Sequence, residues 1–229
     1  MVTRRQILLS AASGALLPCT VLAAREERSQ AARWIVVDPR NSLARESARG
    51  FQAALRRTGE PFEVSDSVPA CRAELIVLPF ATTLSRQEAS RLCRQLASGC
   101  SVVFESGASF ASNGEVLRQR TVWRQAFGIH ADLPSSERTW PVGDPTNYVR
   151  YHWPADAQVR YFGELLPVSA AGAEGIATYR GRTVGIRKRI GRGELLFLGS
   201  PLGPMLAAED HQAAELAAGI IQHSTLFER

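Results

Sequence analysis

The chain of 229 residues is long enough for one sizeable hydrophobic core and short for two, so a single domain is expected. Its 45% hydrophobic and 21% charged residues are the make-up of an ordinary globular domain. The net charge of +5 is nearly all arginine, with Lys188 the one lysine, and arginines spread singly along helices read as a solvated face. Only RTVGIRKRIGR (182–192) concentrates basic charge, and no aromatic residues interleave it, so nucleic acid is not an expected partner.

The first element in chain order is TRRQILL (3–9), two arginines directly before an apolar stretch that runs through Leu17. That stretch contains Ser10, Ser13 and Gly14, which makes it too short and too mildly apolar for a permanent membrane span. It resembles a twin-arginine export signal, with Thr3 before the pair and Ile7-Leu8 after it. VLAA (21–24) offers small residues for cleavage near Ala23 or Ala24, giving residues 1–24 as signal and 25–32 as linker. A lipoprotein reading at Cys19 is weakened by the preceding proline. The resemblance implies a periplasmic or secreted protein; the alternative is an uncleaved N-terminal membrane anchor.

A single domain is expected over 33–229. WIVVDP (34–39) reads as a buried strand, followed by a helix from Ser42 with Leu43, Ser47, Phe51 and Leu55 on one face. PFEV (61–64) and ELIVLPF (74–80) read as the second and third strands. SRQE (85–88) is a capping box that opens a helix ending at Gly99, SVVFES is the fourth strand, and SNGE (112–115) opens another helix ending at Gly128. Residues 133–173 break this rhythm with five prolines, and form an irregular excursion holding short strands at YVRYH and VRYF. A hairpin turning at Arg180-Gly181, a final strand in GRGELLFLGS and a helix over Glu209–Gln222 complete the chain. Strand–helix alternation predicts a doubly wound, mainly parallel α/β sheet of flavodoxin-like layout, with helices on both faces and a C-terminal hairpin.

Three cysteines follow the signal. Cys93 lies on the stripe Ala89, Leu92, Cys93, Leu96 and reads as a buried core thiol. Cys71 and Cys100 each stand just before an apolar run; if those runs are neighbouring parallel strands, the two sit at one end of the sheet and can form a disulfide. The alternative is three free thiols. No Cys/His cluster points to a metal, and no cofactor motif is present.

The element order, with a hairpin and a G-x-G-x-hydrophobic strand before the closing helix, resembles the class I glutamine amidotransferase-like fold over about residues 33–225. That group includes ThuA-like proteins and the middle domain of some β-galactosidases. The resemblance implies a G-x-C-x-G elbow after the fourth strand and a His-x-Glu pair after the last. Here VFESG (103–107) puts Glu105 at the cysteine position, and GSPLGP (199–204) contains neither histidine nor glutamate. A carboxylate cannot form the thioester, so cysteine-based amidotransfer is not expected and the chain reads as a pseudoenzyme. Glu105 is expected to keep the strained elbow backbone and to aim its carboxylate into a cleft, toward the Gly199–Pro204 loop.

Two functional readings remain. An exported hydrolase on the same scaffold would use Ser106 as nucleophile, His211 as base and Asp210 or Glu209 beside it; against it, Ser106 lacks the flanking glycines of a G-x-S-x-G elbow. The preferred reading is a non-catalytic domain binding a polar ligand such as a carbohydrate, or a protein partner. Ligands of open α/β sheets sit outside the carboxyl ends of the strands, where this sequence places Asp38, Asn41, Thr82, Thr83, Glu105, Ser106, Ser109 and Ser200. The same residues also suit turns and helix caps. Trp140, Tyr148, Tyr151 and Trp153 supply stacking surface for a sugar or simply anchor the long excursion. The ligand, the partner and any homo-oligomerisation are left open by the sequence.

Overall fold

The computed structural model describes residues 33–81, 83–107, 113–133, 147–161 and 165–226. Strand β1 (Arg33–Val36) leads into helix α1 (Ser42–Thr58), followed by β2 (Phe62–Ser65), β3 (Leu75–Ala81), α2 (Arg86–Ser98), β4 (Ser101–Ser106) and α3 (Asn113–Phe127). Then come β5 (Ile129–Ala131), β6 (Tyr148–Tyr151), β7 (Ala157–Arg160), β8 (Val168–Ala170), β9 (Glu174–Tyr179), β10 (Arg182–Ile190) and β11 (Gly193–Leu198). A short α4 (Gly203–Ala207) and α5 (His211–Leu226) close the described fold.

Local chemistry sets the helix ends. Asn41 accepts hydrogen bonds from the Leu43 and Ala44 N–H groups and so caps α1. The Ser85–Glu88 capping box at α2 is formed in both directions, and Gly99 ends that helix in the left-handed conformation. The predicted box at 112–115 falls partly outside the described residues.

Nine strands form one sheet in the order β2-β1-β3-β4-β11-β10-β9-β6-β7, and β5 pairs with β8 apart from it. Alternate residues of the central strands serve opposite faces. Ile35, Val77, Val103 and Leu196 join a core with α1 and α5, whereas Val36, Ile76, Val102 and Leu195 join one with α2 and α3.

The expected doubly wound, mainly parallel, flavodoxin-like sheet does not hold. Parallel pairing runs through β2, β1, β3, β4 and β11 only; β10, β9, β6 and β7 are added antiparallel. The reason is the tight connections. Arg180 and Gly181 both take positive φ (47° and 78°), the geometry of a two-residue hairpin, which returns the chain beside the strand it has just left. The proline-rich excursion supplies β6 and β7 to the same sheet and extends its antiparallel half.

Candidate functional site

From β1 the chain passes through α1 to β2 on one side, then returns to β3 on the other. The strand order therefore reverses between β1 and β3, and such a reversal opens a crevice at the carboxyl ends of the strands. A cavity of about 300 Å³ lies there. Asp38 and Arg40 follow β1 into it, Asp66 follows β2, Pro79 and Phe80 form part of its wall, and Thr83 and Glu88 come from the start of α2. Asp38, Asp66 and Thr83 are exposed and Glu88 half-buried. Two carboxylates are partly committed: Asp38 accepts the Arg40 N–H at 2.9 Å, and Glu88 accepts the Ser85 N–H at 2.8 Å. Their remaining oxygens, with the Thr83 hydroxyl, give the crevice a surplus of hydrogen-bond acceptors over a partly apolar wall.

Beneath this crevice sits Glu105. It is fully buried within β4, in regular register with Leu198 of β11. Its Oε2 accepts from the Phe80 N–H at 2.8 Å and from the Ser47 hydroxyl of α1. Its Oε1 accepts from the Gly203 N–H at 2.6 Å and from the Leu202 N–H. Four neutral donors thus fill the carboxylate's main acceptor sites. Burial pushes the Glu105 carboxyl above its ordinary range, while the bonds from Ser47, Gly203, Phe80 and Leu202 pull it back.

This corrects two expectations. Glu105 is not an exposed cleft carboxylate, although its donors do include the loop after β11. Nor does it carry the strained backbone. The outlier is Phe80, at φ 48° beside an irregularity in the β3–β4 register. A bulky residue rarely takes that conformation, and it persists only where its surroundings hold it. Here the Glu105 carboxylate grips the Phe80 N–H, and the ring is wholly buried. Glu105 therefore shapes the crevice from below, by fixing the turn that forms its wall.

Ser47 explains a polar residue on the apolar face of α1: it is fully buried and spent on Glu105. The same junction demands Gly203, since a Cβ there would stand 1.9 Å from the Ser47 Oγ.

The hydrolase candidates are not assembled. Ser106 is 1% exposed, whereas the His211 side chain is 84% exposed and faces Glu215 of its own helix at 3.6 Å. Asp210 accepts the Ala213 N–H at 2.8 Å, as a cap of α5. Of the remaining candidates, Ser200 is buried at 3% exposure, Asn41 is the α1 cap, and Thr82 and Ser109 lie outside the described residues.

The disulfide expectation also fails, although β3 and β4 are indeed adjacent and parallel. Leu75 is in register with Ser101, which leaves Cys71 in a turn short of the strand while Cys100 is buried directly before β4. The Cys71 carbonyl is held by the Gln95 amide at 2.6 Å, and all three cysteines are free. Cys93 is half-buried, less so than its stripe implied.

Among the described residues, the aromatic side chains of the excursion do not line the crevice. Tyr151 is 2% exposed in the core, Trp140 lies outside the described residues, and Trp153 packs edge-on against His223 with the Arg187 guanidinium 4.7 Å from its ring. Arg187 also pairs with Glu194 at the start of β11 at 3.2 Å, and His223 stands 3.6 Å from that carboxylate. Sequence reasoning missed Asp66, Glu88 and Arg40 in the crevice. Asp66 was legible as the first acid after PFEV; Glu88 was hidden behind its capping role.

No family model and no curated protein matches the chain. Solved structures do. The fold is similar to part of a β-galactosidase from Rahnella sp. R3 (TM-score 0.62, 14% identity), covering 87% of this chain and 31% of that one. It is similar to part of an exo-β-1,4-mannosidase from Opitutaceae bacterium strain TAV5 (TM-score 0.60, 13% identity), covering 88% of this chain and 37% of that one. A cytoplasmic protein from Salmonella typhimurium LT2 matches over 77% of this chain and 86% of its own (TM-score 0.59, 9% identity). The chain thus spans about a third of the length of the glycoside hydrolases it matches. These neighbours are not glutamine amidotransferases, so the expected membership of that family is corrected: the likeness found is one of fold, to a domain within glycoside hydrolases and to a free-standing protein.

Proposed function

We propose that this chain is a binding domain whose ligand is a neutral, hydroxyl-rich molecule of the carbohydrate class, held in the β1/β3 crevice. The observation that carries the reading is the crevice itself: Asp38, Asp66, Glu88 and Thr83 converge on a cavity of about 300 Å³ at the strand-order reversal. A sugar presents vicinal hydroxyls as donors, and carboxylate oxygens accept them as strong, charge-assisted bonds. The Pro79–Phe80 turn, buried and fixed by Glu105, sets the shape of the wall against which the ligand would sit. The cavity is at the small end of ligand pockets, which suits a single residue or chain end better than an extended oligosaccharide. The fold's likeness to domains of a β-galactosidase and a mannosidase supports the same class of ligand.

Binding without turnover is preferred because the serine and histidine of the hydrolase alternative lie in opposite environments, one buried and one in solvent. Export by the Arg4-Arg5 segment is part of the proposal. Changing both arginines to lysine is expected to retain the precursor in the cytoplasm, and normal export of that variant would remove this part.

Calorimetric titration of the full chain with galactose, mannose, lactose and mannobiose tests the ligand class, alongside chromogenic glycoside and ester substrates. The expected result is saturable binding of at least one sugar, abolished in Asp38→Asn/Asp66→Asn, with no turnover. Turnover lost on Ser106→Ala would instead establish the hydrolase, and an absence of binding to all four sugars would refute the carbohydrate reading.

A further inference from the structure

On the α2 side of the sheet, below the turn that joins β2 to β3, lies a second and larger cavity of about 850 Å³. Its charge is opposite to that of the crevice. Arg72, Arg91 and Arg94 line it, and no carboxylate does. Among the described residues neither Arg91 nor Arg94 has an acidic partner; the one bond from Arg94 goes to the Ser90 hydroxyl on the same helix, at 3.1 Å. Cations gathered on one concave surface focus field on an incoming anion.

The cavity wall is built, not a chance gap between side chains. Gln95, 6% exposed, projects from α2 into the turn and holds it at three points. Its Nε2 donates to the carbonyls of Pro69 at 3.0 Å and Cys71 at 2.6 Å, and its Oε1 accepts the Ala73 N–H at 3.2 Å. A buried amide committed wholly to backbone groups fixes the shape of the segment that carries Arg72. At the floor is Trp34, whose buried indole N–H has no acceptor among the described residues.

We propose that this groove is a binding site for a small ligand bearing an oxyanion (carboxylate, sulfate or phosphate), distinct from the neutral-ligand crevice and independent of it. The guanidinium forks of Arg91 and Arg94 match such groups bidentately, the Trp34 floor supplies apolar contact for the body of the ligand, and the volume admits a molecule of sugar or disaccharide size.

The test uses the full chain carrying Asp38→Asn/Asp66→Asn, which removes binding in the crevice, with inorganic sulfate, glucose 6-phosphate and galacturonate, and with galactose as the uncharged control. Affinity is measured by calorimetry. Location is read from protection of Cys71, a half-buried residue of the groove lining, against iodoacetamide, resolved by peptide mass mapping. At least one charged probe is expected to bind tenfold or more tightly than galactose, to slow alkylation of Cys71, and to lose at least tenfold in affinity in Arg91→Gln/Arg94→Gln; the probe that does so names the oxyanion. The affinity is expected to fall as salt rises. Both arginines project from the outer part of α2, so the single variants serve if the double variant melts early. No preference for any charged probe over galactose, equal binding by the variants, or binding that leaves Cys71 alkylation unchanged would each overturn the proposal.

Discussion

Two buried glutamates stand at opposite ends of the paired strands β4 and β11, and they are accommodated in different ways. Glu105, at the carboxyl end of β4, meets no cation: a serine hydroxyl and three backbone N–H groups surround it. Glu194, at the amino end of β11, is matched by the charge of Arg187 at 3.2 Å, with the His223 imidazole 3.6 Å away. Burial pushes both carboxyls above their ordinary range; for Glu194 the pull of Arg187 opposes this and Glu174 adds to it. The contrast separates two uses of a buried acid. Ion pairing at Glu194 ties β10 to β11 through Arg187. Dipole pairing at Glu105 ties the backbone of β3 and of the loop before α4 to one point, and in doing so holds Phe80 in the conformation that forms the crevice wall.

The comparison breaks hardest at Glu105→Leu. An apolar side chain of similar size leaves the N–H groups of Phe80, Leu202 and Gly203 buried without acceptors, at about 1–3 kcal/mol each. A loss of about 4 kcal/mol is expected in denaturant unfolding, with a weaker crevice in whatever folds. A loss below 1 kcal/mol would mean that these groups find other partners and that Glu105 is dispensable.

A gentler test uses pH. In the interval between the ordinary carboxyl value of 4.5 and its raised folded value, the folded chain holds a proton on Glu105 that the unfolded chain has released. Stability therefore falls as pH rises through that interval. Glu105→Gln is expected to flatten this slope and to leave the share contributed by Glu194, which has the same sign. His223 acts oppositely: burial first, then Arg187, lowers its pKa below the ordinary 6.5, so the unfolded chain takes up the proton first. Stability is lost as pH falls below 6.5 through the folded value, and His223→Gln is expected to remove that loss. Thermal melts from pH 4 to 8 read both slopes; identical slopes in wild type and Glu105→Gln would mean that Glu105 is not shifted. The smallest expected effect belongs to His211→Ala: the largely exposed His211 side chain faces Glu215 at 3.6 Å, and its loss is expected to leave melting and ligand binding unchanged.

Much of the fold was legible because it rests on local rules. The Ser85 capping box, Gly99, the Arg180-Gly181 hairpin and the apolar runs of β1, β3, β4 and β11 all formed where their residues predict. The sheet's sense was not legible, since antiparallel addition of β6, β7, β9 and β10 depends on how the excursion folds back, which periodicity does not encode. The site was half legible. Asp38 and Thr83 follow from the rule of strand ends. Glu105 was noticed for its position in a turn, but its burial arises from Ser47, some sixty residues earlier in the chain, and from Leu202 and Gly203, about a hundred later, donors that no local pattern links to it. The arginine groove was hidden in the same way, because Arg72 and Arg91 belong to different elements and each alone reads as solvated surface.

The measurement that bears most directly on the account is amide chemical-shift mapping of the full chain as a binding sugar from the calorimetric panel is added. The account predicts that the largest changes fall on the crevice residues Asp38, Asp66, Phe80, Ala81 and Thr83, and that they vanish in Asp38→Asn/Asp66→Asn. Changes centred elsewhere, or unaltered by that double substitution, would contradict it.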